Sequence, residues 1–421
     1  MADFGTQRIL RELLDFGNHD GLAMQIHHED SNIRKIKAIL VGTPNTPLCL
    51  WPLPEYPEAP PKVTLRTTNN GRVRFGPNLY ASGKVCLSIL GTWQARPGDP
   101  DGWSAIQGIE STLISIQSLF NEDPFYLEPG FEDIRSSDPT WEQSSARKYA
   151  MKIAHENIRL TVIAPLHNAL HGNADDLGPF AEFYKQRFLW YRENYIATIN
   201  KYRDNPECQG PFAVTRFEMT GNAMSGRWDW NGLKDKLEAL ENDLITEING
   251  WPTAGLNPVG HDLYIAHTMK EKFLDLKERM ADRTLGTCNL ALVDENPFVW
   301  QLTYLGQSDS MLSDGVFNVK IYLSNHFPRV QPRVFVTTPI FHARVSGGGH
   351  QAMAYLPVQS DDMADHLQGI INVLEEANPP PYNPLMVVNT EAARLCWESS
   401  DNQREYRRRV RRSAQESSEL L

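Results

Sequence analysis

Apolar and polar positions along this chain follow two rhythms, one helical and one alternating, and each predicts elements. Residues 7–15 (Gln-Arg-Ile-Leu-Arg-Glu-Leu-Leu-Asp) read as a short amphipathic helix, and two strands are expected around Leu22–His28 and Ile36–Val41. Five prolines between 52 and 63 (Pro52, Pro54, Pro57, Pro60, Pro61) favour an extended surface crossing. After a Trp103-Ser104 pair, Ile106, Ile109, Leu113, Ile116 and Leu119 recur at three- and four-residue spacing, the mark of one buried helix face. Asp138-Pro139 offers a cap and a first-turn proline for a long helix through roughly Ile163. From about 173 to 247 the pattern stays helical and is rich in aromatic residues. Gly250, Pro252, Gly255, Pro258 and Gly260 predict a turn-rich break before another helix from about Tyr264 to Arg283.

The chain then repeats itself. Residues 316–323 (Val-Phe-Asn-Val-Lys-Ile-Tyr-Leu) alternate apolar and polar, as a half-buried strand does. Phe327-Pro328, Pro332-Arg333-Val334 and Thr338 follow, in the order and spacing of Tyr56-Pro57, Pro61-Lys62-Val63 and Thr67. Such matched spacing predicts two copies of one fold, a pair of domains and not a solenoid.

A length of 421 residues accommodates about two to four domains. The formal net charge of −11 disfavours a sequence-independent nucleic-acid binder, which needs cationic surface to displace counterions. No run of about 18 apolar residues predicts a membrane span, and acidic residues at Asp3, Glu12 and Asp15 argue against a signal peptide. Cys49, Cys86, Cys208, Cys288 and Cys396 are scattered, odd in number and without a C-x-x-C pair. That inventory suits a reduced protein of the cytoplasm or nucleus, with neither disulfides nor a zinc site. His167 and His171 have metal-ligand spacing but lack further ligands nearby, so no metal or other cofactor is expected.

The chemistry concentrates at residues 82–93, Ser-Gly-Lys-Val-Cys-Leu-Ser-Ile-Leu-Gly-Thr-Trp, which place Cys86 in a mostly apolar segment eight residues after Asn78. With Tyr56 to Val63 (aromatic-Pro-x-x-Pro-Pro-x-Val), Gly76-Pro77-Asn78 and Trp103-Ser104, this resembles the active-site segment of ubiquitin-conjugating (E2) enzymes. The wider string, with residues 114–119 and Glu128-Pro129-Gly130-Phe131-Glu132, is similar to a branch of large E2s with helical extensions. That branch includes the giant hybrid E2/E3 enzyme carrying a BIR domain. The resemblance covers residues 1–172, and more loosely the helices to about 245.

The resemblance implies an α+β fold, an antiparallel sheet with flanking helices, and thioester transfer. Cys86 would take ubiquitin or a ubiquitin-like protein from an E1 activating enzyme and pass it to a substrate lysine, in some cases with an E3 ligase. Asn78 would stabilise the oxyanion or the loop around it. An acidic residue in an acid-Pro step would orient the incoming lysine, and Asp123-Pro124 and Glu128-Pro129 both offer one; spacing does not choose between Asp123 and Glu128. Neither nucleic acid nor membrane is an expected partner.

The chain departs from the family pattern in three places. Gly76 replaces the motif's histidine. Between Thr46-Pro47 and Tyr56 roughly half of the expected turn and strand is missing, which predicts an incomplete sheet with unpaired ladder groups. Glu58 stands where many E2s present an apolar residue to their ligases.

In the second copy His342-Ala343-Arg344 occupies the place of Gly76-Pro77-Asn78, and aligning Gly349 with Gly83 puts Ala352 at the cysteine position. Cys396 falls in a helical tail. The resulting division is 1–172, an E2 catalytic domain with a C-terminal helix; 173–284, a helical extension; and 285–421, an inactive E2-like domain with a basic C-terminal helix. Arg404, Arg407, Arg408, Arg409, Arg411 and Arg412 read as a solvated helix face, with nuclear targeting or nucleic-acid binding as the competing reading. The competing function is a scaffold in which both E2-like domains bind ubiquitin or ligase components without transfer.

Overall fold

Strand-forming segments with apolar residues on alternate positions assemble here into two separate antiparallel meanders. The computed structural model describes residues 3–16, 23–29, 31–42, 46–51, 55–93, 102–120, 124–127, 141–172, 180–215, 218, 224–257, 263–282, 288–376, 382–383 and 385–419. The chain divides into two compact units, one of residues 1–168, 173–180 and 198–236, the other of residues 169–172, 181–197 and 237–421. Residues 173–284 are thus shared out between the two.

In the first unit, α1 (Phe4–Phe16) precedes β1 (Met24–Glu29), β2 (Asn32–Leu40), β3 (Thr46–Trp51) and β4 (Lys62–Leu65), which pair antiparallel in chain order. Ile36, Ala38 and Leu40 lie on one face of β2 and are fully buried. They share a core with Ile9 of α1, with Ile109, Leu113 and Ile116 of α2 (Ile109–Gln117), and with Tyr149 and Ile153 of α3 (Trp141–Asn157). Each buried isoleucine or leucine among them contributes roughly 1.5–3 kcal/mol.

Two expectations are corrected in this unit. The sheet is complete: β3 runs its full length between β2 and β4, with Leu40 opposite Thr46 and Leu48 opposite Leu65. The shortening falls between the strands, where residues 41–45 separate β2 from β3 against 306–315 between the matching strands of the second unit, so the ladder keeps its partners. The helix expected at Trp103-Ser104 starts only at Ile109, and Ile106 is 88% exposed. Trp103 instead donates its indole N–H to Pro57 O at 2.7 Å, beside the Tyr56 ring. Glu12 sets the helix start, accepting from Ile109 N at 2.9 Å and from the Tyr56 hydroxyl at 2.6 Å.

α3 leads through a π-helical turn, Ile158–Ile163, into α4 (Ala164–His171), beyond the expected end near Ile163. Ala164 N reaches back to Arg159 O, and Pro165 next has no amide to give. α5 (Ala181–Arg203) and α6 (Trp230–Leu256) are not one helical run, because Asn205-Pro206 and Gly210-Pro211 interrupt them. The intervening segment is fastened to α3. Lys152 Nζ lies 2.6 Å from both Glu218 carboxylate oxygens and 2.7 Å from Ala213 O, with Lys152 and Glu218 both fully covered. His155 accepts from Asp229 N at 3.1 Å among the rings of Phe212, Trp228 and Trp230.

The expected break at Gly250, Pro252 and Gly255 is not one, since α6 continues through all three. Buried Leu237, Leu240, Leu244, Ile248 and Trp251 keep helical spacing across it, and packing outweighs local propensity. Gly255 serves contact: a Cβ there would lie 2.4 Å from the Phe298 ring. Pro258 and Gly260 lie outside the described residues.

The second unit repeats the meander with β5 (Cys288–Val293), β6 (Asn296–Leu305), β7 (Val316–Tyr322) and β8 (Arg333–Val336) in chain order. Even the irregularity between the first two strands recurs, at His28/Glu29 and at Leu292/Val293. Its core unites these strands with α7 (Leu263–Asp282), α8 (Met363–Leu374), α9 (Thr390–Trp397) and α10 (Ser400–Glu419). α10 buries Tyr406, Val410, Ala414 and Ser417. Its arginines pair along the outside: Arg404 with Asp401, Arg408 with Glu405, Arg412 with Glu416, and Arg409 with Glu391 of α9. Among the described residues no helix is long and apolar enough to cross a membrane.

Candidate active site

The stretch after β4 folds back along it: Leu65 N donates to Gly83 O at 2.8 Å, and Thr64 bridges Lys84. Gly83 has φ +88°, and a Cβ would lie 2.8 Å from Leu65 O, so only glycine turns here without strain. Leu79 bridges Val85, and then Asn78 brackets Cys86. Cys86 N donates to Asn78 O at 2.9 Å, and Asn78 Nδ2 donates to Cys86 O at 3.0 Å. Asn78 Oδ1 is buried with no hydrogen-bond partner among the described residues. The eight-residue spacing thus closes a small loop with cysteine and asparagine side by side.

Beyond Cys86 the chain makes a 3-10 turn, Ser88–Leu90, and Gly91 closes it at φ +64°. Thr92 ties this turn together: its hydroxyl accepts from Leu87 N at 2.9 Å and donates to Val85 O at 2.8 Å. The Cys86 thiol donates to Thr92 O at 3.0 Å and the residue is 3% exposed. The nucleophile candidate is therefore covered in this state.

On the other side of Asn78 stands a residue that sequence reasoning missed. Arg74 is buried, with its guanidinium donating to Gly76 O at 3.1 Å and to Pro77 O. It lies 4.4 Å from the Tyr80 ring centre, and Arg74 O accepts from the Tyr149 hydroxyl at 2.9 Å. Its only sequence signal is a charge among apolar neighbours, Val73 and Phe75. Asp123 and Glu128 lie outside the described residues; between them Pro124–Leu127 forms a 3-10 turn with Phe125 buried beside Tyr149.

The second unit builds the same loop, in a different register from the one expected. Ala354 N donates to Arg344 O at 2.9 Å, Met353 bridges Val345, and Val336 N donates to Gln351 O. Ala354, not Ala352, therefore holds the place of Cys86, and Gln351, not Gly349, that of Gly83. His342-Ala343-Arg344 does match Gly76-Pro77-Asn78. His342 Nδ1 accepts from Arg344 N at 3.1 Å, while the Arg344 guanidinium pairs with Glu376. Burial pushes Glu376 up to about 7 against the pull of Arg344, and pushes the Cys396 thiol up to about 11. A raised thiol pKa leaves Cys396 a poor nucleophile.

A family model described as ubiquitin-conjugating enzyme matches the chain twice, at residues 8–153 and 272–414. Ubiquitin-conjugating enzyme E2 Z of Danio rerio is 33% identical over 246 residues, which cover 56% of this chain and 68% of that protein. The Homo sapiens E2 Z is 32% identical over 251 residues, 58% of this chain and 64% of that protein. The human dual E2 ubiquitin-conjugating enzyme/E3 ubiquitin-protein ligase BIRC6 is 35% identical over 185 residues, 41% of this chain and 4% of that protein. The chain belongs to the ubiquitin-conjugating enzyme family and has its α+β fold twice over. Enzymes of this family work with ubiquitin, an activating enzyme and ligases.

Proposed function

We propose that Cys86 is the acceptor of this conjugating enzyme and that the first unit alone carries transfer. The observation behind this is the bracket of Asn78 around Cys86, made by one backbone and one side-chain hydrogen bond. The Cys86 thiolate attacks the carbonyl carbon of ubiquitin, or of a ubiquitin-like protein, held as a thioester on the activating enzyme. A new C–S bond forms and the activating enzyme's thiolate leaves. A lysine amine then attacks the same carbon, the Cys86 thiolate departs, and the amine loses its proton as the isopeptide forms. Negative charge gathers on the carbonyl oxygen as the lysine attacks, and the Asn78 carboxamide would donate to it. Asp123 or Glu128 would orient the amine.

A scaffold that keeps Cys86 idle would need a crippled sheet, and β3 is complete. In the second unit Ala354 offers no nucleophile, so we assign that unit a binding role without transfer. Glu58 is exposed, so a ligase docking there would have to accommodate a carboxylate. A thiol acceptor also requires a reducing compartment, in keeping with the cytoplasm or nucleus. The test is charging with activating enzyme, ATP and ubiquitin, read on gels with and without dithiothreitol. A shift that the reductant removes and that Cys86→Ala lacks supports the assignment; no shift from folded protein with ubiquitin or ubiquitin-like proteins overturns it.

A further inference from the structure

The two units solve one problem with opposite residue choices. In the second, His342 sits inside the loop and accepts from Arg344 N, while Ile340, two residues earlier, is simply buried. In the first, the histidine's place is empty at Gly76, and Arg74 stands at the place of Ile340. Arg74 reaches the loop from below, its planar fork donating to the carbonyls of Gly76 and Pro77, the two residues that lead into Asn78.

We propose that Arg74 is the positioning residue of this transfer site, holding the Asn78 loop in place of a histidine at position 76. The proposal rests on the reading of Cys86 and Asn78 as the transfer centre. A fully formed support holds Arg74 itself: burial at 4% exposure, the Tyr80 ring at 4.4 Å, and the Tyr149 hydroxyl on its carbonyl. Asn78 gives its own carbonyl and carboxamide to Cys86, so the direction in which it meets the reacting carbonyl follows from where residues 76 and 77 are pinned. A Cβ at Gly76 would make ordinary van der Waals contact, its nearest neighbours being Leu79 side-chain atoms at 3.7 Å and beyond.

The experiment uses the full chain, charged with ubiquitin by the activating enzyme and then chased with free lysine over a range of concentrations. Arg74→Ile should still accept ubiquitin on Cys86 but discharge on the order of 10²-fold more slowly, in kcat and not in KM for lysine. Arg74→Lys, which keeps the charge and loses the fork, should fall between. Arg74→Ile combined with Gly76→His, which imports the second unit's solution, should recover most of the rate. Discharge at the parent rate by Arg74→Ile overturns the proposal, as does a folded double variant no faster than the single one. Should Arg74→Ile fail to fold, the double variant decides: folded and active, it upholds the proposal; unfolded or inactive, it overturns it. A parent chain that forms no reductant-sensitive thioester on Cys86 defeats the underlying reading instead, an outcome separate from any behaviour of the Arg74 variants.

Discussion

Cys86 and Ala354 hold the same place in two copies of one loop, each donating its amide at 2.9 Å to the carbonyl of the residue that ends the preceding triplet, Asn78 or Arg344. The amide-to-carbonyl closure is shared, and what differs is the length of the loop it closes and the side chains mounted there. Shared geometry with different side chains makes the chemical difference between the copies testable by exchange.

Cys86→Ser should give an ubiquitin ester that survives dithiothreitol, since an oxyester replaces the thioester. Ala354→Cys in a Cys86→Ala background should not restore charging, because Arg344, committed to Glu376, stands where Asn78 stands beside Cys86. Gel shifts with and without reductant check both, and a reducible adduct on Ala354→Cys would refute the second.

Thr92→Val removes the hydroxyl that joins Leu87 N to Val85 O, at an expected cost of about 1 kcal/mol, because the group is exposed and water replaces part of the loss. Thr92→Ser should be close to neutral. Amide exchange at Leu87 gives the local reading and urea unfolding the global one.

Lys152 and Glu218 are both fully covered, and burial pulls the lysine below its usual range while Glu218 opposes the shift. Removing one partner, as in Lys152→Met, strands the other charge and should cost roughly 3–5 kcal/mol. Lys152→Met together with Glu218→Leu should recover much of that loss. Urea unfolding of the three chains measures it.

His342 is pushed down to about 3 from its ordinary 6.5, by burial first and the Arg344 charge second. Its contribution is complete above 6.5 and is lost as the pH falls toward 3. Glu376, raised from 4.5 to about 7 by burial, works in reverse: its contribution is complete below 4.5 and is lost as the pH rises through 7. The two slopes oppose each other over the shared window, and Cys396 titrates well above it. His342→Asn should therefore expose a stability that declines as pH rises from about 5 to about 7, and Glu376→Gln should expose one that climbs. Urea unfolding across that range checks the signs.

Much of this arrangement could be read from residues whose partners lie close in sequence. Asn78 and Cys86 are one turn apart, and the strand repeat showed itself through matched prolines. What the local pattern hides is set by distant partners. The fate of residues 46–51 depended on whether β2 and β4 would flank them, which only the assembled sheet decides. Ile106 kept the helical rhythm, yet Glu12, from α1, set the start at Ile109. In the second loop the stretch from Arg344 to Ala354 is two residues longer than that from Asn78 to Cys86, so anchoring on Gly349 misplaced the register. Arg74 carried no motif at all, because its meaning lies in two carbonyls and in a histidine that is not there.

The covered thiol has a consequence for chemistry outside conjugation. With Cys86 bonded to Thr92 O and 3% exposed, a dissolved reagent is expected to meet the sulfur mainly in molecules whose 87–92 segment has opened. Alkylation of the uncharged chain would then count openings and not collisions, and its rate would saturate with reagent concentration. The same shelter slows the first step of oxidation to sulfenic acid. The proposed acceptor sulfur is thus sheltered while it carries no ubiquitin.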